Sequence, residues 1–422
     1  MGERLNPKHV IVLDNGGHTI KIGFASDEEP ILVMPNCIGR ARKGSKSKYV
    51  GESVRDLTDY TIFRPSRRGI VLDYEMQKDI WSVAFTEIGI KDFSKYHILI
   101  TEPECCPQQV TEQDGPSLLY SVIFEDFGFA SCCVQSSARC AAFDPSIKAN
   151  WDAKGKDLSP CVMIVDCGFS GCTAVPIFKG DALDEFAQRL NVGGRVLTNY
   201  LKEVLAYNAF DLQFSPLLLD DIKEKCCEIA VKYDLLMAKA ALYQRQNVAG
   251  LVPENWQSHY KLPNFVDTCV GDSVDDEASA IAESENAQVI HLGSEKIAVP
   301  ELLFRPQDCG IRQAGVAEMT ARVIKKCPPA LQPMFIENIV VVGAGARFDG
   351  FFDRFERELI SNLPSELGEC NIVEMDHDDL LQSVWRGARE LARSPKELKV
   401  GFLSREEFNM MNTINKRERR YL

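Results

Sequence analysis

No uninterrupted apolar run in the chain approaches the ~18–20 residues that a membrane span requires. The opening residues, Met1-Gly-Glu-Arg-Leu-Asn-Pro-Lys8, are polar and lack the apolar core of a secretory leader. No Cys-x-x-Cys pair and no His-Glu-x-x-His motif occurs, so the common zinc spacings are missing. The 15 cysteines are odd in number, and many sit inside apolar stretches, as Cys132-Cys133, Cys161 and Cys226-Cys227 do. That placement predicts free, buried thiols in a reducing compartment; the missing apolar run and leader predict the cytosolic or nuclear side and no membrane association. Positive charge is also short: 48 Lys and Arg against 61 Asp and Glu leave a net charge of −13. So acidic a chain does not bind nucleic acid with its whole surface. Two basic stretches run against this balance, Arg40-Ala-Arg-Lys-Gly-Ser-Lys-Ser-Lys48 and Lys416-Arg-Glu-Arg-Arg-Tyr-Leu422. Solvated charge is their plainest reading; contact with phosphate or an acidic partner is the functional one.

What is present is a globular composition, 45% hydrophobic and 26% charged, over 422 residues. That length exceeds one ordinary core and predicts two lobes. His9 to Leu13 reads as a strand, Asp14-Asn-Gly-Gly-His18 as a turn, and Thr19 to Phe24 as the returning strand. Val162 to Val165 repeats the pattern, with Asp166-Cys-Gly-Phe-Ser-Gly171 at the tip and Cys172 to Phe178 returning. Two such hairpins some 150 residues apart suggest an internal duplication. Helices are expected over Tyr74 to Phe85, Gly115 to Phe124, Cys132 to Phe143, Val196 to Leu205, a long stretch Asp220 to Tyr243, and Gly350 to Leu363. Tyr96 to Ile100 and Asn338 to Val342 read as buried strands. Val266 to Ala287 is acidic and poor in aromatics, and reads as a disordered or loosely held surface insertion.

A glycine-rich tip lets backbone N–H groups approach a ligand closely, and two facing tips can hold a triphosphate between two lobes. Asp14 and Asp166, one carboxylate at each tip, suit the waters around a phosphate-bound Mg2+. Lys21 is placed to neutralise phosphate charge. Gly343-Ala-Gly345, after a strand and before a helix, suits an adenine or ribose. Any one of these features is weak, because such a hairpin is usually only a hairpin. The three in this order are far more specific.

These residues resemble those of actin and the actin-related proteins along nearly the whole chain. Leu13 to Gly23 looks like the family's first phosphate motif, with Asp14, Asn15, Gly16, Gly17, His18 and Lys21. Ile164 to Pro176 looks like the second, with Asp166 and Gly168. Val192 to Leu201 is similar to the helix start below the nucleotide, with Gly194. Asp221 to Cys227 resembles the helix whose Lys223 and Glu224 contact the nucleoside. Val341 to Gly350 stands where the adenosine motif does, with Gly343, Ala344 and Phe348. Ser383-Val-Trp385 with Gly387, and Ser404 to Phe408, match two further signatures. The resemblance implies an α/β actin-like fold of the actin, chaperone-ATPase and sugar-kinase type: two duplicated lobes around a nucleotide cleft. Residues 1–160 form the first lobe, with a small upper subdomain at about 33–69 and a C-terminal return at about 365–422. Residues 161–364 form the second, carrying the acidic insertion at about 266–287. Pro35-Asn-Cys37, Phe124 to Phe129, Asn199 to Glu203 and Pro300 to Pro306 are similar to the sixth actin-related subfamily. That likeness implies a nuclear, structural subunit of a chromatin-remodelling complex that exchanges a core histone for its Z-type variant. Its implied partners are the complex's protein subunits, with histones or nucleosomal DNA met through Arg40, Arg42 and Lys43.

Departures from the family pattern bear on chemistry. Where the family places a water-orienting Gln, this chain has Ser137, too short to span the same gap. The family's second-motif carboxylate is Phe169 here, and its following His is Thr173. ATP or ADP binding, with Mg2+ as counter-cation, is expected to survive; efficient hydrolysis is not. Leu381 is apolar where the family has a base-side Lys, and Phe348 cannot donate a hydrogen bond. The basic Arg40–Lys48 stretch replaces an apolar tip loop, so a homopolymer is not expected. An active cytoskeletal ATPase is the alternative; it would need a Gln at position 137 and an apolar loop near 40–48. A sugar kinase or chaperone ATPase would lack the Ser383–Trp385 and Asp221–Cys227 signatures.

Overall fold

The computed structural model describes residues 5–41, 48–54, 60–104, 118–153, 160–207, 216–246, 256–264, 270–284, 287–367, 369–373, 375–395 and 400–418. Two central sheets dominate it. The first has six strands, in the order Leu403–Ser404, Ser131–Ser136, His97–Glu102, Val10–Asn15, Thr19–Phe24, Leu32–Pro35. The second runs Asp181–Ala182, Cys172–Phe178, Cys161–Cys167, Ile339–Val342, Ile372–Val373. Each contains an antiparallel hairpin whose first strand also pairs in parallel with a later, buried strand: Val10–Asn15 with His97–Glu102, and Cys161–Cys167 with Ile339–Val342. The duplication expected from the two tips is therefore a duplication of sheets. The parallel strands are continuous apolar runs because both of their faces are covered. The second sheet reaches Ile372–Val373, past residue 364.

The lobes join through two helices. Ser137–Ala142 leaves the first sheet and packs Ala138 and Ala141 into the second lobe's core. His377–Arg393 lies against it, with Leu380 in the second core and Trp385 in the first. Trp385 donates its indole N–H to the carbonyl of Val12 at 3.1 Å. At Gly387 a Cβ would stand 1.7 Å from the carbonyl oxygen of Cys140, so only glycine lets these helices meet. The Ser383–Trp385, Gly387 signature thus has a packing cause.

Three sequence expectations need correction. Cys132 to Ser136 is strand, not helix: Cys132 and Cys133 fill a slot between two strands, and the helix begins only after Ser136 caps it by accepting from the Arg139 N–H. Gln135 therefore sits on a strand. The stretch Asp220 to Tyr243 is two helices, Pro216–Cys226 and Tyr233–Gln246. Between them the N–H groups of Glu228 and Ile229 donate to the carbonyls of Lys296 and Asp349, so tertiary partners replace the helical ones. The acidic insertion is ordered over much of its length. Asp272–Val274 pairs with Ser258–Lys261, and Asp276–Ser284 is a helix that buries Ser279 and Ala282. Its opening residue Val266 lies outside the described residues, as do Gly115, Arg42 and Lys43. Over its described part the helix expected from Gly115 to Phe124 is present, as an α-helical turn, Leu118–Ser121, running into a π-helical segment, Val122–Phe127.

The 12 described cysteines are all free, and ten of them are buried. Among the described residues no helix is long and apolar enough to cross a membrane.

Candidate functional site

The two hairpin tips face each other across a cleft. A Cβ on Gly17 would lie 2.2 Å from Ser170 Oγ and 3.7 Å from the Phe169 ring. The His18 and Phe169 rings meet edge to face at 4.7 Å. One cavity between the lobes is lined by Asp14, Asn15, Gly16, Gly17, His18, Lys21, Asp166, Gly168, Gly343 and Ala344. Ten of the fourteen residues read from sequence therefore converge. Ser137, Phe169 and Thr173, the three substituted positions, line the same space.

Both carboxylates sit where their strands end. Asp14 opposes Lys21 in register, and Lys21 Nζ donates to it at 2.8 Å. The Thr101 hydroxyl donates to its other oxygen at 2.8 Å, while accepting from the Asn15 N–H at 3.0 Å. Asp166 opposes Thr173 in the second hairpin. Among the described residues it has no comparable cation, and burial, then Glu104 and Asp14, push its carboxyl up to about 7 against the pull of Lys21 and Arg189. The raised value fixes a sign. The stability Asp166 contributes is fully present below about pH 4 and is lost as pH rises through about 7. Asp166→Asn is expected to stabilise the ligand-free protein at pH 8 by on the order of a few kcal/mol, and by less than half as much at pH 5. Thermal unfolding at the two pH values checks this; parallel curves would contradict it.

Four expected contacts lie elsewhere. Gly194 stands behind Phe169, with a Cβ there 3.1 Å from its ring. Lys223 is buried, its ammonium held by Asp220 at 2.7 Å and the Thr198 hydroxyl at 2.8 Å, so it is committed within its own lobe. Glu224 is exposed on the same helix. The Phe348 ring packs in the second lobe's core.

Three groups escaped the sequence reading. Glu104 is 5% exposed, lines the cavity, and accepts the Ala138 N–H at the start of the helix Ser137–Ala142. Arg189 also lines the cavity and donates to the Ser170 carbonyl at 2.9 Å. Arg64 donates to the carbonyls of Gly17 and His18 and lies 4.6 Å over the Phe169 ring, so the apolar ring replacing a carboxylate is covered by a cation. One signal pointed to Glu104: Thr101-Glu-Pro-Glu104 ends a buried parallel strand, and ligands gather beyond the carboxyl ends of such strands.

The cavity is thus polar at the tips and apolar at the Leu380, Leu381 and Val384 wall. The Thr173 hydroxyl is buried with no partner among the described residues. Asp14, Glu104 and Asp166 outnumber Lys21 and Arg189, so an anion here needs a counter-cation. No group of three or more His, Cys, Asp or Glu among the described residues is arranged to hold a metal directly. A cation would be held through water and the ligand itself.

Two facing Asp-tipped hairpins, each on its own sheet, with a strand, Gly-Ala-Gly and helix closing the far side, define an actin-type two-lobed protein. The family model Actin matches residues 5–417, and the chain belongs to the actin family. Within it, the chain is similar to proteins named Actin-related protein 6. The Arabidopsis thaliana one is 32% identical, covering 92% of this chain and 93% of its own length. The relative from Oryza sativa subsp. indica is 30% identical over 97% and 98%, and that from Drosophila melanogaster 30% over 92% and 93%. The chain is therefore an actin-related protein of the sixth kind, as the motifs at Pro35 and Pro300 implied.

Proposed function

We propose that this protein is a nuclear structural subunit of an ATP-dependent chromatin-remodelling complex, of the kind that exchanges a core histone for its Z-type variant. In this reading the cleft holds ATP or ADP as a structural ligand and hydrolyses it slowly or not at all. Asp14 and Asp166 would hold a Mg2+ through water, and that ion would supply charge neutralisation to the phosphates. Lys21 stays with Asp14. The tip backbones and the Thr173 hydroxyl meet phosphate oxygens, and the Leu380–Val384 wall shelters the base.

The observation that carries the reading is the joint state of three positions on the cavity wall. Ser137, Phe169 and Thr173 line the space where a water would be activated, and none of them is a base. Ser137 turns its hydroxyl to the Glu102 carbonyl at 3.2 Å. Gln135, two residues away, bonds the Arg139 guanidinium and the Cys133 sulfur instead. Ligand binding without cleavage suits a subunit that docks protein partners, histones or nucleosomal DNA. Arg40 is exposed on the small upper sheet over Phe63; with Arg42 and Lys43, which lie outside the described residues, it supplies the basic charge for nucleosomal phosphate in this reading. Tagging the protein in its own cells and identifying what co-purifies from nuclei tests the assignment. Recovery of a remodelling ATPase with the histone variant is expected. Recovery of cytoskeletal proteins alone overturns it.

A further inference from the structure

The contacts that close the cleft gather on one ring. Phe169 is fixed in the second lobe by its backbone and from behind. Its carbonyl accepts the Arg195 N–H at 3.0 Å, the Gly168 carbonyl accepts the Gly194 N–H at 3.2 Å, and a Cβ on Gly194 would lie 3.1 Å from the ring. Groups of the first lobe cover its other sides. The His18 ring meets it edge to face at 4.7 Å, and the Arg64 guanidinium lies over it at 4.6 Å. Arg64 is tied to its own lobe, where it donates to the carbonyls of Gly17 and His18 at 3.2 and 3.0 Å. Ring, cation and imidazole thus meet across the boundary between the lobes. Beside them His18 Nδ1 stands 3.9 Å from Asp220 Oδ2, and a Cβ on Gly69 would lie 3.7 Å from the Ser170 Cβ. Gly17, His18, Gly69, Phe169 and Ser170 all line the cavity, so these touching groups form one of its walls.

We propose that Phe169, gripped by Arg64 and His18, clasps the two lobes together and sets how slowly the cleft releases its ligand. The proposal rests on the nucleotide reading of the cleft and adds how the nucleotide is retained. An apolar ring suits this task. A stacked guanidinium keeps its N–H groups for the carbonyls of its own lobe and is still attracted to the ring face. Parting the lobes breaks the two ring contacts and leaves the hydrogen bonds of Arg64 whole, so the clasp can reopen. Among the described residues Arg64 is not part of the cavity wall. It therefore acts on the ligand through the ring and the tip, as a positioning residue. Release gated by such an opening is set by the contacts that the opening breaks.

The test loads the purified full-length protein with a fluorescent Mg-ADP analogue and follows its release after an excess of unlabelled Mg-ADP is added. Phe169→Leu and Arg64→Met are each expected to speed release about tenfold. The double variant should be no faster than the faster single one, because both remove the same contact; unrelated structural damage would multiply instead. Phe169→Tyr keeps a ring and should release like the wild type. A second measurement leaves the clasp itself intact. Gly69→Cys with Ser170→Cys sets two Cβ atoms at disulfide distance across the lobe boundary. Its oxidised form should release the analogue about tenfold or more slowly than its reduced form, since the bond bars the opening. The wild type, oxidised in the same way, controls for the native thiols. Unchanged release in Phe169→Leu, multiplying effects in the double variant, or equal rates in the oxidised and reduced forms overturns the proposal. Failure of the wild type to bind Mg-ADP at all overturns the nucleotide reading, and the proposal with it.

Discussion

Glu301→Leu should lower the unfolding free energy by about 3 kcal/mol, the low end of the range for breaking a buried ion pair. Glu301 and Arg354 are each 1% exposed, and two guanidinium nitrogens reach the carboxylate at 2.7 and 3.1 Å. Arg354 also donates to the Ala230 carbonyl at 2.6 Å and lies over the Phe304 ring at 5.1 Å. One side chain thereby ties the helix Phe351–Asn362 to the helix Glu295–Glu301 and to the break between the two helices at 227–232. Removing the carboxylate leaves a buried guanidinium that cannot shed its proton. Glu358 remains as a second partner, and so the low end of the range applies. The midpoint of urea unfolding checks this, and a shift worth less than about 0.5 kcal/mol would contradict it. Because that helix follows the Gly343–Gly350 turn, the variant should also loosen the nucleoside side of the cleft.

Gly343→Val should weaken nucleotide binding by about a hundredfold, equivalent to about 3 kcal/mol. Gly343 has φ +93°, a conformation costly to a β-branched residue. A Cβ there would stand 2.6 Å from an Asp166 carboxylate oxygen and 2.6 Å from the Cys167 carbonyl, both fixed by the second hairpin. The side chain can fit only by driving the strand–turn–helix unit away from the hairpin, which opens the cavity where its two halves close. Gly401→Val is the matched control, since nothing lies within 4 Å of a Cβ at that position. Titration with Mg-ADP compares them. Equal affinities would show that the Gly343 turn is not part of the site.

How much of this was legible in the sequence depends on whether the deciding contacts were local. The hairpins were, because Asp-x-Gly tips between apolar strands announce their own geometry, and Asp14, Lys21 and Asp166 stand where that geometry puts them. The helices Tyr74–Glu87 and Phe351–Asn362 were legible from their apolar period. Cys132-Cys133-Val134 was not: a short apolar run reads equally as strand or helix, and a slot between distant strands decided it. The break after Cys226 depends on the carbonyls of Lys296 and Asp349, more than sixty residues away. Lys223 was assigned to the nucleoside by likeness; the bonds of its ammonium to Asp220 and Thr198 were not legible in the sequence. Glu104 was missed because its importance arises only when the parallel strand His97–Glu102 sets it beside Asp166.

The most direct test of binding without cleavage is single-turnover phosphate release, with stripped protein in excess over labelled Mg-ATP and actin run in parallel. Release at the buffer background, with the label recovered as intact ATP, is the expected result. Liberation of phosphate at actin's rate would mean that a base has been overlooked beside Ser137, and the reading of this cleft as a holder of nucleotide would be wrong.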